Sequence, residues 1–289
     1  MRRARIGIAL CGADLAGSAH VGVLFGLESL GIKPDVVAGA SSGSIVASLY
    51  AHGYALDEFR GLAGRVPARI LLDYGFPLVS SVANLARKRW QGREIPAPNG
   101  LFRGDHLQRF VRKLHQRRLP KMPFYIVATD LYSTQSIAFT NDQQAVKQGF
   151  AEASTDLAKE IVGSCALPGL FTPIRHRQWL LVDGGVRDQV PVTVLRRAGC
   201  DKIFAVYLHK LDDSWYPVTF VDVLRRSILT LVDEAVASSD LVPDTFVLKP
   251  DLTPITGWQH REPMLKNMTL AFDDVMARKD EILSFLTSP

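Results

Sequence analysis

Ser41 stands at the centre of Gly39-Ala40-Ser41-Ser42-Gly43, a Gly-x-Ser-x-Gly spacing in which a serine hydroxyl can serve as a nucleophile. The run before it, Val36-Val37-Ala38, is apolar and β-branched, and a helical pattern, Ile45-Val46-Ala47-Ser48-Leu49-Tyr50, follows. Strand, tight turn and helix would hold Ser41 at the tip of the turn, with two glycines allowing the close approach. Backbone amides at the new helix N-terminus would favour negative charge there, so an attacked carbonyl would find donors for its oxyanion. Ser42 and Ser44, flanking the tip, read as helix-cap residues.

A serine hydroxyl needs a base. None of the seven histidines stands in a setting that marks one. His20 falls early on the first helical stretch and reads as structural, while His209 follows an apolar strand, as a triad histidine could. Asp183 is the stronger choice. It closes the apolar strand Trp179-Leu180-Leu181-Val182, where a carboxylate is costly unless it has partners or a task. Gly184 and Gly185 then let the chain turn at once, leaving the carboxylate at the sheet edge. Placed beside Ser41 it could take the hydroxyl proton directly.

The elements that must position these groups read as an α/β protein. Arg5 to Leu10 is a buried strand, Cys11 to Gly17 a loop, and Ser18 to Leu30 an apolar helix with Gly31 at its C-cap. The first fifty residues are therefore β-α-β-elbow-α, a parallel unit with a right-handed crossover. Its first loop should lie beside the elbow, at the sheet edge where open α/β sheets bind ligands. Further helices are expected over Leu56–Ala63, Ser81–Trp90, Asp105–Arg118, Asp156–Ser164, Val218–Ser239 and Pro263–Leu286. Strands are expected at Phe124–Asp130, Ile137–Thr140, Trp179–Val182, Asp201–Leu208 and Thr245–Leu248. With no repeat or linker in the 289 residues, one domain over 1–289 is expected, its core about 5–210 and its C-terminal helical part about 218–286.

The composition, 47% hydrophobic and 22% charged, is ordinary for a folded core. Cys11, Cys165 and Cys200 are far apart and fit no metal spacing, so no metal and no cofactor is called for, and a reducing, cytoplasmic setting is expected. The basic start, Met1 to Arg5, leads into a first strand rather than a signal peptide, and no run approaches a membrane span. A net charge of +5 suits an anionic partner. Nucleic acid and an anionic lipid surface are the two candidates; no nucleic-acid motif accompanies the charge, and charge alone decides nothing. Two basic stretches, Ala86–Arg93 and Asp105–Arg118, read first as solvated helix faces and second as peripheral membrane contacts.

Four segments in order make the chain resemble the patatin-like phospholipase family: Gly39-Ala40-Ser41-Ser42-Gly43, Ala128-Thr129-Asp130-Leu131, Ser164-Cys165-Ala166-Leu167-Pro168-Gly169-Leu170-Phe171 and Asp183-Gly184-Gly185-Val186. The likeness covers about residues 5–210. It implies a three-layer fold with a mostly parallel central sheet flanked by helices. It also implies a serine acyl hydrolase of phospholipase A or lysophospholipase type, acting on phospholipid or other acyl-lipid esters through a Ser41–Asp183 dyad. By the same likeness the first loop, Gly12-Ala13-Asp14, supplies oxyanion contacts together with Ser42. The family's Gly-Gly-Gly-x-Arg-Gly is replaced here by Gly12-Ala13-Asp14-Leu15-Ala16-Gly17, which puts a carboxylate near the developing charge. Two functions are therefore set against each other: a lipid acyl hydrolase, and a weakly active or non-catalytic lipid-binding scaffold with an altered oxyanion loop.

Overall fold

The computed structural model describes residues 3–63, 73–91, 98–209, 216–217, 220–237, 244–255 and 261–287. Its frame is a nine-stranded sheet. Strands β1 (Ile6–Leu10), β2 (Val36–Ala40), β3 (Phe124–Asp130) and β8 (Lys202–Val206) are buried along their whole length, as strands covered on both faces must be. The order through the sheet is β5 (Glu152–Ala153), β4 (Ser136–Thr140), β3, β2, β1, β8, β9 (Thr245–Leu248). β2, β1, β8 and β9 pair in parallel, as do β2 and β3, whereas β4 runs antiparallel to β3.

Alternation along the strands divides the apolar side chains between two cores. Ile8, Leu10, Val37, Ile126, Phe204 and Val206 face the larger one, with α1 (Ala19–Ser29), α2 (Ser42–Ala51), α7 (Leu157–Ser164) and α10 (Arg261–Ala277). Ala9, Ala38, Tyr125, Val127, Ile203 and Ala205 face the smaller one, with α6 (Gln143–Lys147) and α8 (Val192–Arg197). Helix, sheet and helix give the three layers, and the architecture is α/β with a mostly parallel sheet. α1 and α10 pack so closely that a Cβ on Gly26 would come within 2.9 Å of the Val275 Cβ.

Further helices are α3 (Leu56–Ala63), α4 (Pro77–Gln91), α5 (Asp105–His115) and α9 (Phe220–Ala237). α4 begins four residues earlier than the apolar pattern suggests, with Pro77 in its first turn, where a missing N–H is no loss. The single helix expected over Pro263–Leu286 is instead two, α10 and α11 (Lys279–Thr287). At the break, Arg278 turns its guanidinium to the Val247 carbonyl, at 3.0 Å, and to Glu281. Among the described residues no helix is long and apolar enough to cross a membrane.

Candidate active site

The placing of Ser41 and Asp183 is decided on one strand. β3 pairs with β2 over its first half, ending at Ala40 opposite Val127. Its second half pairs antiparallel with β7 (Trp179–Asp183), beginning at Ala128 opposite Asp183. Neighbouring residues of one strand thus carry the end of the elbow strand and the end of the carboxylate strand. Because β2 and β7 run in opposite directions, both chain ends meet there. β7 also forms a hairpin with β6 (Ile174–His176), a short strand that the sequence pattern does not single out.

At the elbow Ser41 has φ 52° and ψ −128°, a conformation that side chains rarely adopt. Such a residue carries strain of about 1–3 kcal/mol, so its surroundings must enforce it. The enforcement is visible. The Ser41 amide donates to Ser164 Oγ at 2.9 Å, and that hydroxyl donates to the Val127 carbonyl at 2.6 Å. A side chain on Gly39 would run into the Gly43 backbone, and one on Gly43 into the carbonyls of Leu10 and Cys11. The turn therefore closes only with glycine at both positions.

Ser42 and Ser44 do not cap α2. The N-cap residue is Ser41, which makes no side-chain cap bond. Ser44 Oγ donates backwards to the Ser41 carbonyl at 2.5 Å, and Ser42 Oγ accepts the Ala13 amide at 2.9 Å. The hydroxyls are spent on fixing the turn and the neighbouring loop, so the first-turn amides of α2 gain no cap from them.

Asp183 is 5% exposed, and its carboxylate accepts the Gly185 amide at 2.8 Å. Burial pushes its pKa up to about 7, against hydrogen bonds from Ser41 and Gly185, and the charge of Asp14 adds to the rise. The buried carboxylate and the strand end that carries the elbow serine stand at neighbouring positions along β3.

The first loop is held from behind by two buried side chains. His20 Nε2 lies 2.8 Å from the Cys11 carbonyl, and Gln189 Nε2 donates to the Gly12 carbonyl at 2.7 Å. Burial lowers the His20 pKa to about 4, so the ring is neutral near pH 7 and holds the carbonyl as an N–H donor. In a planar trans peptide the N–H points opposite to the C=O, so these two bonds also aim the Gly12 and Ala13 amides. The loop continues into a 3-10 turn, Asp14–Ser18, with Asp14 exposed at φ 46°.

Gly12, Ala13, Asp14, Ser41 and Asp183 line one open cleft. Its apolar wall comes from Leu167, from Val186 and from Ile228 and Leu229 of α9. His209 is also on the wall, whereas His20 lies under the loop and is fully buried. His260 and residues 92–93 of the first basic stretch fall outside the described residues, as do the side chains of residues 88–91. Sequence reasoning misses Gln189 and Ser164 as parts of the site. Gln189 carries no local signal, and Ser164 lies 123 residues from the backbone amide it holds.

The family sequence model described as Patatin-like phospholipase matches residues 8–196. Lysophospholipase NTE1 of Kluyveromyces lactis is 30% identical over 228 residues, which are 76% of this chain and 14% of that protein. Lysophospholipase NTE1 of Saccharomyces cerevisiae is 31% identical over 228 residues, 76% of this chain and 12% of that protein. The chain thus spans about an eighth of the length of these relatives. Among solved structures, VipD from Legionella pneumophila aligns with a TM-score of 0.49 and 14% identity, covering 97% of this chain and 67% of that one.

Proposed function

Because the chain belongs to the patatin-like phospholipase family, we propose that it is a serine lipid acyl hydrolase of phospholipase A or lysophospholipase type, with Ser41 as nucleophile and Asp183 as base. The observation that carries this reading is the register on β3, which brings a strained elbow serine beside a buried carboxylate. Asp183 takes the Ser41 proton as Oγ bonds to the ester carbonyl carbon. The tetrahedral oxyanion collapses, the ester C–O bond breaks, and the leaving alcohol takes the proton back from Asp183. Water then gives a proton to Asp183 and attacks the acyl-serine, and the fatty acid and free Ser41 return. A carboxylate whose pKa is near 7 suits both directions of transfer at neutral pH.

For the oxyanion we assign the Gly12 amide, aimed by His20 behind the Cys11 carbonyl, and the first-turn amide of Ser42. Leu167, Val186, Ile228 and Leu229 would hold the acyl chain. Phospholipid or another acyl-lipid ester is the substrate class, and peripheral contact with an anionic membrane is part of the reading.

One observation favours the second reading, a weakly active lipid-binding scaffold. The Ala13 amide, which the family likeness offers as an oxyanion contact, is bonded to Ser42 Oγ. Labelling with a fluorophosphonate separates the two. The hydrolase reading expects covalent label on the wild type and none on Ser41→Ala, with turnover of a nitrophenyl ester lost in the same variant. A wild type that takes no label is the scaffold.

A further inference from the structure

α4 is built inside out. Leu78, Val79, Val82 and Leu85 fall on one side of the helix and are 66 to 81% exposed. The side turned to the protein carries small and polar residues, Ser80, Ala83 and Asn84, which are half-buried. Ser80 and Ser81 each donate to the Pro77 carbonyl, and Ser80 Oγ also accepts the Asn99 amide at 3.0 Å. Two more exposed aromatic residues, Tyr74 and Phe76, precede the helix. A soluble protein gains nothing by showing water such a stripe, which marks a surface that something else covers.

Charge selects the occupant. The fifteen residues of α4 include no acidic one, and the stripe is followed by Arg87, with Lys88 and Arg89 next in the sequence. The other basic helix, α5, differs in both respects. Arg112 is paired with Asp156 and Arg118, just beyond the helix, with Glu58, and the apolar Val111 is buried. An apolar stripe followed in the sequence by Arg87, Lys88 and Arg89, on a helix without an acidic residue, fits a helix lying in the plane of an anionic bilayer, side chains among the acyl chains and cations at the headgroups.

The helix is also joined to the wall of the cleft. The Gly75 amide donates to the Leu101 carbonyl, and the amides of Leu101 and Phe102 donate to Gly169 and Leu170. The rings of Tyr74, Phe102 and Phe171 pack in series, tilted to one another, with centroids 5.8 and 5.7 Å apart. That same loop carries Leu167, on the cleft wall. We propose that α4 is the docking helix of this protein, seating the exposed Leu78–Leu85 stripe in an anionic phospholipid surface beside the catalytic cleft. The proposal rests on the lipid-hydrolase reading for its purpose, and its test does not depend on turnover.

The full chain is sedimented with vesicles of phosphatidylcholine alone and of phosphatidylcholine with phosphatidylserine. The wild type should bind the mixed vesicles, and salt should weaken the binding. Val82→Asp with Leu85→Asp should lower that affinity at least about tenfold, because two buried aliphatic contacts are replaced by charge. Hydrolysis of a soluble short-chain ester and the thermal melt should stay as in the wild type. Val82→Ser with Leu85→Ser, which adds no charge, should fall between the two. Equal binding by wild type and the Asp pair, or no wild-type binding, would overturn the proposal. So would a wild-type dimer on size-exclusion chromatography that the Asp pair splits, since the stripe would then be covered by a second copy. A Ser41→Ala protein should still sediment, and a wild type that sediments without hydrolysing any ester overturns the hydrolase reading and leaves the docking helix standing.

Discussion

Asp14 and Asp183 line the same cleft, and the charge of the first makes the second hold its proton more tightly. Burial is the larger cause, and together they bring Asp183 to about 7. A general base works only when ionised, so kcat/KM for a soluble ester should rise with pH through about 7. Asp14→Asn removes the smaller cause and should move this rising limb to lower pH. A limb that does not move would mean that the two carboxylates are uncoupled in the working enzyme.

The same shift makes a stability prediction of opposite sense to the usual one for an acid. The pKa of Asp183 is raised on folding, so between about 4 and 7 the unfolded chain has lost this proton while the folded chain keeps it. Stability from this group is therefore full at acid pH and falls as pH rises through that window. Asp183→Asn, which cannot ionise, should gain in melting temperature over the wild type as pH rises from 4 to 8, whatever its offset at pH 4. A difference that stays constant with pH would show that Asp183 has an ordinary pKa.

The base can be identified by comparing two variants. Asp183→Asn keeps the shape and removes the proton acceptor, so turnover should fall by about 10² or more. His209→Gln, on the cleft wall, should leave most of the activity. The reverse ranking would make the site a histidine-based one, with Asp183 in a supporting position.

Gln189 offers a test of loop positioning. Gln189→Ala leaves the Gly12 carbonyl without its donor, and an unsatisfied buried group costs about 1–3 kcal/mol of stability. Because the Gly12–Ala13 peptide would lose its hold, and the loop that carries the Gly12 amide with it, kcat should fall while KM stays close to the wild-type value. Gln189→Glu, with no N–H to give, should behave like the alanine variant. If both retain full kcat, the loop is held in place by other contacts.

How much of this was legible in the sequence follows from the range of the interactions. The elbow and its flanking strand and helix are local, and Gly39, Ser41 and Gly43 announce them by type and spacing. Asp183 is legible because a carboxylate ending an apolar strand is chemically out of place. The split pairing of β3, which brings the two together, is not local. It depends on an antiparallel hairpin that begins at Ile174, well downstream of the end of β3 at Asp130, and β6 has three residues, too few for a period to show. Gln189 and Ser164 act through bonds spanning 177 and 123 residues, so nothing beside them in the chain marks their task. The apolar residues of α4 were visible, but which side of the helix meets water is decided by what packs on it. Helical periodicity alone assigns such a stripe to the core.

The altered residue of the first loop gives the sharpest test of the proposed chemistry. Asp14 has φ 46°, a conformation that glycine adopts at little cost and other residues adopt under strain. Its carboxylate faces a cleft in which an ester carbonyl would gain negative charge. Asp14→Gly therefore removes a repulsion and a backbone strain together. Two unit charges about 4 Å apart in a water-like medium repel by on the order of 1 kcal/mol, which corresponds to a factor of about five in rate. The gain should appear in kcat rather than KM, because the charge exists only in the transition state. It should be measured above the rising limb of the pH profile, where Asp183 is ionised in both proteins. Ala13→Gly added to Asp14→Gly should raise kcat further, by letting the loop turn its second amide from Ser42 Oγ toward the oxyanion. The glycine variant should melt no earlier than the wild type. A variant that melts earlier and turns over no faster would show that Asp14 supports this loop, and that the oxyanion is stabilised elsewhere in the cleft.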